Sequence, residues 1–153
     1  MNAPVKNREL SSISSTQSLA ENGGSSIYLV KGLYKVAKGW QERGEMAAAR
    51  RIFSFIVSIA DRQPCLKCVE VTLSFANLAV MFSLEEAFMD SENHFLRALA
   101  SCIEVLGDDN PVFAEILRDY AAMLRRMGLN EEAYNIEVRA NLIAPISLPQ
   151  LVF

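Results

Sequence analysis

The chain has 153 residues, a length that fits one domain with a real core. It is 51% hydrophobic and 22% charged, with a net charge of −3. That mildly acidic balance argues against nucleic acid as the main partner, because phosphate binding needs a strongly basic face. No apolar run approaches the roughly 18 residues of a membrane span.

Residues 1–26, "MNAPVKNRELSSISSTQSLAENGGSS", are rich in Ser, Asn and Gly and are expected to form a flexible leader or a short, poorly ordered helix. They hold no apolar stretch of the kind a secretory signal requires. From residue 27 onward, apolar positions recur three and four apart through "YLVKGLYKVAKGW", "AARRIFSFIVSIA", "VTLSFANLAVMF", "HFLRALASCIEVL", "VFAEILRDYAAML" and "AYNIEVRANLI". These predict six helices separated by turn signals at Gly44, "DRQP", "GDDNP" and "MGLN". In "GDDNP", Asn110 is suited to an N-cap and Pro111 to the first helical position. Nothing reads as a strand, so the expected class is all-α in short antiparallel pairs.

The helices repeat. Ala37, Ala79 and Ala121 lie 42 residues apart, and other columns follow at the same offset: Leu33, Phe75 and Leu117; Val36, Leu78 and Tyr120; Trp40, Phe82 and Leu124. The turn column is Gly44, Glu86 and Gly128. The next small column is Ala49, Ser91 and Ala133, followed by Phe53, Phe95 and Glu137, then Ile56, Ala98 and Ala140. The expected units are 30–71, 72–113 and 114–145, followed by an apolar tail, 146–153. Small residues at fixed places let helix axes approach closely, and bulky columns fill the space between units. No unit buries its own apolar face, so stacking builds one continuous core.

This pattern resembles the tetratricopeptide repeat (TPR) family. The third unit carries it most fully, in Leu117, Tyr120, Ala121, Leu124, Gly128, Ala133, Ala140 and Pro145, with Glu137 standing where an aromatic is expected. The first unit departs at Ile56 and Asp61, and the second at Glu86, Ser91 and Ile103. Extra residues between units, in "DRQPCLKCVE" and "LGDDNPVFAE", make the repeats similar to the long-period ones of kinesin light chains and their bacterial relatives. The resemblance covers about residues 30–145 and implies an α-solenoid of three tandem antiparallel helix pairs.

The resemblance also implies a concave partner-binding groove lined by the first helix of each unit. Its expected residues are Lys31, Tyr34, Lys38 and Gln41; then Leu73, Ala76, Asn77, Val80 and Leu84; then Glu115, Arg118, Ala122, Arg125 and Arg126. Such a groove would be apolar in the middle and mostly basic at both ends, fitting a protein or peptide partner with acidic flanks. Repeats of heat-shock co-chaperones hold a C-terminal carboxylate at positions that here carry Tyr34, Lys38, Asn77, Glu115 and Asp119. Only Asn77 matches, and two acids replace two bases, so that mode is not expected.

Chemistry is sparse. Cys65 and Cys68 form a CxxC, with Cys102 and the single histidine, His94, as the remaining soft ligands. The plainer alternative is small apolar cysteines beside a helix start. One histidine supports no nucleophilic triad, and Gly23–Gly24 lacks the Lys-Ser/Thr of a phosphate loop. Glu85, Glu86, Asp90 and Glu92 read as a solvated face. The expectation is a non-catalytic scaffold or adaptor with no cofactor or metal, in the cytoplasm, since an odd cysteine count suits a reducing compartment. A thiol- or metal-dependent regulator using Cys65, Cys68 and Cys102 is the alternative, as is a self-associating module. The tail, with Ile146, Leu148, Leu151, Val152 and Phe153, is expected to close over the last pair or dock into a second copy.

Overall fold

The computed structural model describes residues 9–145, with side chains from residue 24 onward; the apolar tail lies outside the described residues. Six helices account for nearly all of it: α1 (Glu9–Glu42), α2 (Met46–Arg62), α3 (Val69–Leu84), α4 (Phe88–Val105), α5 (Pro111–Arg126) and α6 (Asn130–Ile143). The fold is all-α, with no strand among the described residues.

Each odd helix packs antiparallel on the even helix that follows, and each pair packs on the next. In addition α1 touches α3 and α3 touches α5, whereas the backbones of α2 and α4, and of α4 and α6, stay apart. Close approach along one side and separation along the other curve the stack, with the odd helices on the inner side. The result is an α-solenoid of three helix pairs.

The small columns sit at the crossings. Ala37, Ala79 and Ala121 are fully buried, as are Ala49, Ser91 and Ala133. Ser91 Oγ donates a 2.7 Å hydrogen bond to the carbonyl of Ala79, so the two small columns touch directly where α3 crosses α4. That bond also satisfies the one polar member of the column, whose unpaired burial would be costly. Phe53 and Phe95 are fully buried, and Phe95 meets Tyr120 of the third pair at 5.5 Å between ring centroids. Val36 departs from its column: Leu78 is buried, but Val36 is half exposed on the first pair.

The three intra-pair turns are copies of one another. Gly44, Glu86 and Gly128 all have left-handed φ, at 80°, 61° and 82°. Each donates its N–H to the carbonyl three residues back, to Gln41, Ser83 and Arg125. The following residue donates to the carbonyl five back, to Trp40, Phe82 and Leu124. This double closure is the Schellman arrangement, which favours glycine at the left-handed position. The structure therefore builds a sharp turn at Glu86 without the glycine that the sequence pattern leads one to expect there.

Residues 9–26, expected as a flexible leader or a short helix, are part of α1, which passes through "NGG" without a break. Glycine disfavours a helix interior by about 1 kcal/mol each, which packing can override; Val30 is fully buried and Ile27 packs on the core. Near the expected starts of the second and third units, α3 begins at Val69 and α5 at Pro111. The cap there is as expected: Asn110 Oδ1 accepts from Val112 N at 2.9 Å, with Pro111 opening the helix. No helix among the described residues is long and apolar enough to cross a membrane.

Candidate functional site

A cavity of about 430 Å³ opens on the inner side of the curve, lined by α1, α3 and α5. Each helix gives one stripe at helical spacing: Tyr34, Lys38 and Gln41 from α1; Leu73, Ala76, Asn77 and Val80 from α3; Val112, Glu115, Ile116 and Asp119 from α5. Its volume lies within the roughly 300–1,000 Å³ of ligand-binding clefts.

The register of these stripes differs from that of the core. Tyr34, Leu73 and Val112 stand 39 residues apart, as do Lys38, Asn77 and Ile116, and Gln41, Val80 and Asp119. The core columns repeat every 42. The groove thus slips three residues toward the start of each successive helix, roughly 4.5 Å at 1.5 Å per residue. A twisted stack requires this slip, because each pair is rotated against the last and a straight path across the inner side cannot keep one column.

The slip decides which expected residues reach the site. Tyr34, Lys38, Gln41, Leu73, Ala76, Asn77, Val80 and Glu115 line it. Lys31, Leu84, Ala122, Arg118, Arg125 and Arg126 do not. Lys31, Leu84 and Arg126 are exposed elsewhere on their helices. Arg118 reaches instead to α6, where its guanidinium binds the Ala144 carbonyl and Asn141 Oδ1. Arg125 forms a two-point ion pair with Glu137 of α6. The basic groove end expected on the third unit is accordingly absent; the α5 wall carries Glu115 and Asp119. Val112, Ile116 and Asp119 were not on the expected surface, and counting back three residues per unit from Tyr34 would have found them.

Local interactions hold the lining. Tyr34 packs on Phe53 at 5.8 Å between centroids. Burial raises its hydroxyl pKa, a hydrogen bond with the Asn77 side chain opposes that, and Glu70 adds to the rise. Asn77 Nδ2 donates to the Leu73 carbonyl at 2.7 Å, which anchors its amide to α3. Lys38 Nζ donates to Gln41 Oε1 at 2.8 Å. On the opposite wall, burial first and Glu115 second push the Asp119 carboxyl above its ordinary range. No described cation pairs with Glu115 or Asp119.

Away from the groove, a second cavity of about 700 Å³ lies by α2 and the end of α3, with Met46, Arg50, Arg51, Met81 and Glu85 among its lining. Its central polar groups already satisfy each other, since Arg50 binds both carboxylate oxygens of Glu85 at 2.5 and 2.6 Å. All three cysteines are free thiols: Cys65 exposed, Cys68 and Cys102 buried. Burial is the leading cause that raises both buried thiols, which disfavours the reactive thiolate. Among the described residues no three His, Cys, Asp or Glu side chains cluster as metal ligands. His94 lies against the Phe82 ring at 5.1 Å, with its Nδ1 2.8 Å from the Asp90 carbonyl.

No protein-family model matches the chain, and no curated protein matches it in sequence.

Proposed function

We propose that the chain is a non-catalytic, cytoplasmic interaction module of the tetratricopeptide type that binds a segment of a protein partner along the groove of α1, α3 and α5. The observation that carries this reading is the continuous lining: three successive helix pairs each contribute one stripe, in a regular 39-residue register, to a single cavity. Its floor is apolar, from Leu73, Ala76, Val80, Val112 and Ile116, and its walls are polar. Such a surface gives a peptide both apolar anchoring and directional polar contacts. The five positions compared with carboxylate-holding repeats, Tyr34, Lys38, Asn77, Glu115 and Asp119, all line this cavity, which supports the repeat register while their chemistry disfavours a carboxylate ligand. The buried thiols give no support to a redox regulator.

The test is differential capture by the full chain. Val80→Arg fills the floor with a charge, and Phe55→Arg alters an exposed residue of α2, on the outer side. A partner retained by Phe55→Arg and lost with Val80→Arg supports the groove. A partner lost with Phe55→Arg and kept by Val80→Arg sinks it.

A further inference from the structure

We infer that the groove recognises a peptide segment by one basic side chain, Lys or Arg, seated against the α5 wall at Glu115 and Asp119, with apolar neighbours of that residue on the floor. The inference rests on the peptide-groove reading above and specifies the partner's chemistry.

The two walls differ in charge. On the α1 wall Lys38 Nζ donates to the neutral Gln41 side chain. On the α5 wall Glu115 and Asp119 stand one turn apart, both lining the same cavity as Val112 and Ile116. Like charges at this spacing repel, and a cation placed between them relieves that repulsion. Several carboxylates elsewhere in the fold are engaged across helices: Asp61 with Arg97, Glu85 with Arg50, Glu104 with Lys67, Glu137 with Arg125, and Glu92 with the Tyr120 hydroxyl. The groove pair has no described cation partner. Burial first and Glu115 second raise the Asp119 carboxyl.

The apolar floor narrows the ligand further. An isolated cation or a highly charged tract would leave Leu73, Val80 and Val112 uncovered, and Lys38 repels a second positive charge from the facing wall. The complementary segment therefore carries a single basic residue flanked by apolar ones. The opposite signs of the two walls orient it across the groove.

The experiment selects a phage-displayed random dodecapeptide library on the full chain and measures synthetic, fluorescently labelled hits by anisotropy. The variants are Glu115→Gln with Asp119→Asn, Phe55→Arg, and Val80→Arg, each first shown to keep the wild-type far-UV circular dichroism. The expected hits hold one Lys or Arg among apolar residues. The expected double variant binds them at least tenfold more weakly, Val80→Arg abolishes binding, and Phe55→Arg, outside the groove, leaves it within twofold. Hits lost with Val80→Arg but acidic, or indifferent to the double variant, overturn the cation inference and leave the groove reading standing. Hits indifferent to Val80→Arg, or no hits at all, overturn the groove reading itself.

Discussion

Glu86 holds a conformation that side chains resist, and replacing it by glycine should stabilise the protein. At φ 61° its Cβ sits in the left-handed region, which costs an L-residue roughly 1–2 kcal/mol. Gly44 and Gly128 occupy the same place in turns with the same two hydrogen bonds. The Glu86 carboxylate is exposed and has no described hydrogen-bond or ion-pair partner, so its removal sacrifices no contact. Its charge lies between the end of α3, where it is unfavourable, and the start of α4, where it is favourable, and the two dipole effects largely cancel. Against the relief of strain stands the extra freedom of glycine in the unfolded chain, about 0.4–1 kcal/mol. Glu86→Gly should therefore gain about 0.5–1 kcal/mol, a rise of about 1–4 °C in Tm for a chain of this size.

Glu86→Ala separates strain from charge, because it removes the carboxylate and keeps the Cβ. It should leave stability within about 0.5 kcal/mol of wild type. The mirror experiments are Gly44→Ala and Gly128→Ala. A Cβ at either position meets nothing within 4 Å, so only backbone strain and unfolded-state entropy are at issue. Each should cost about 1 kcal/mol or more. Urea unfolding followed by circular dichroism at 222 nm reads all four. If Glu86→Gly is no more stable than Glu86→Ala while the two glycine replacements are harmless, the turns are not equivalent and the repeat register is wrong.

Other consequences can be measured on the same protein. Ala121→Leu or Ala133→Leu puts three extra carbons into a fully buried crossing and should cost about 1–3 kcal/mol, with the melting temperature as the readout. Asp119→Asn should stabilise near neutral pH: its carboxyl is raised in the fold by burial and Glu115, so ionisation penalises the folded state. That advantage should vanish as pH falls through the raised carboxyl range, where both proteins carry a neutral side chain, and urea midpoints across pH check it. A thiol reagent should label Cys65 rapidly in the native protein, and Cys68 and Cys102 only after unfolding. Charge reversal at Arg118 and Arg125 together should loosen α6, seen as faster amide exchange there, while leaving binding of groove peptides intact, because both side chains serve α6.

The core was legible because burial enforces chemistry at fixed spacing. Ala37, Ala79 and Ala121 have no room for a larger side chain, so the period stands out in the text. The turn at Glu86 was not legible, since backbone hydrogen bonds and flanking packing can hold a residue whose own preference opposes them. The run of α1 through "NGG" was missed for a related reason: local composition is a weak prior once one end of a helix is anchored by Ile27 and Val30. The groove was half legible. Residues on α1 and α3 were placed well because the slip accumulates with distance from the first pair. By α5 it had moved the lining from the column of Arg118 to that of Val112, Glu115 and Asp119. Superhelical twist is a property of how pairs stack, and no single unit's sequence states it.

Glu137 joins the core to the groove. Its column is Phe53 and Phe95 in the first two pairs, and Phe95 is buried against Tyr120 of the pair that follows. A phenyl ring at residue 137 would find no such following pair among the described residues. A carboxylate there is soluble, and it recruits Arg125, while Arg118 binds Asn141 and the free carbonyl at the end of α6. The third pair thus holds these charges against α6. The same two arginines are the bases that a strict 42-residue reading assigns to the groove. Their engagement with α6 leaves Glu115 and Asp119 as the only ionisable side chains lining the α5 wall. The polarity of the cavity therefore follows from which side of α5 its two arginines serve.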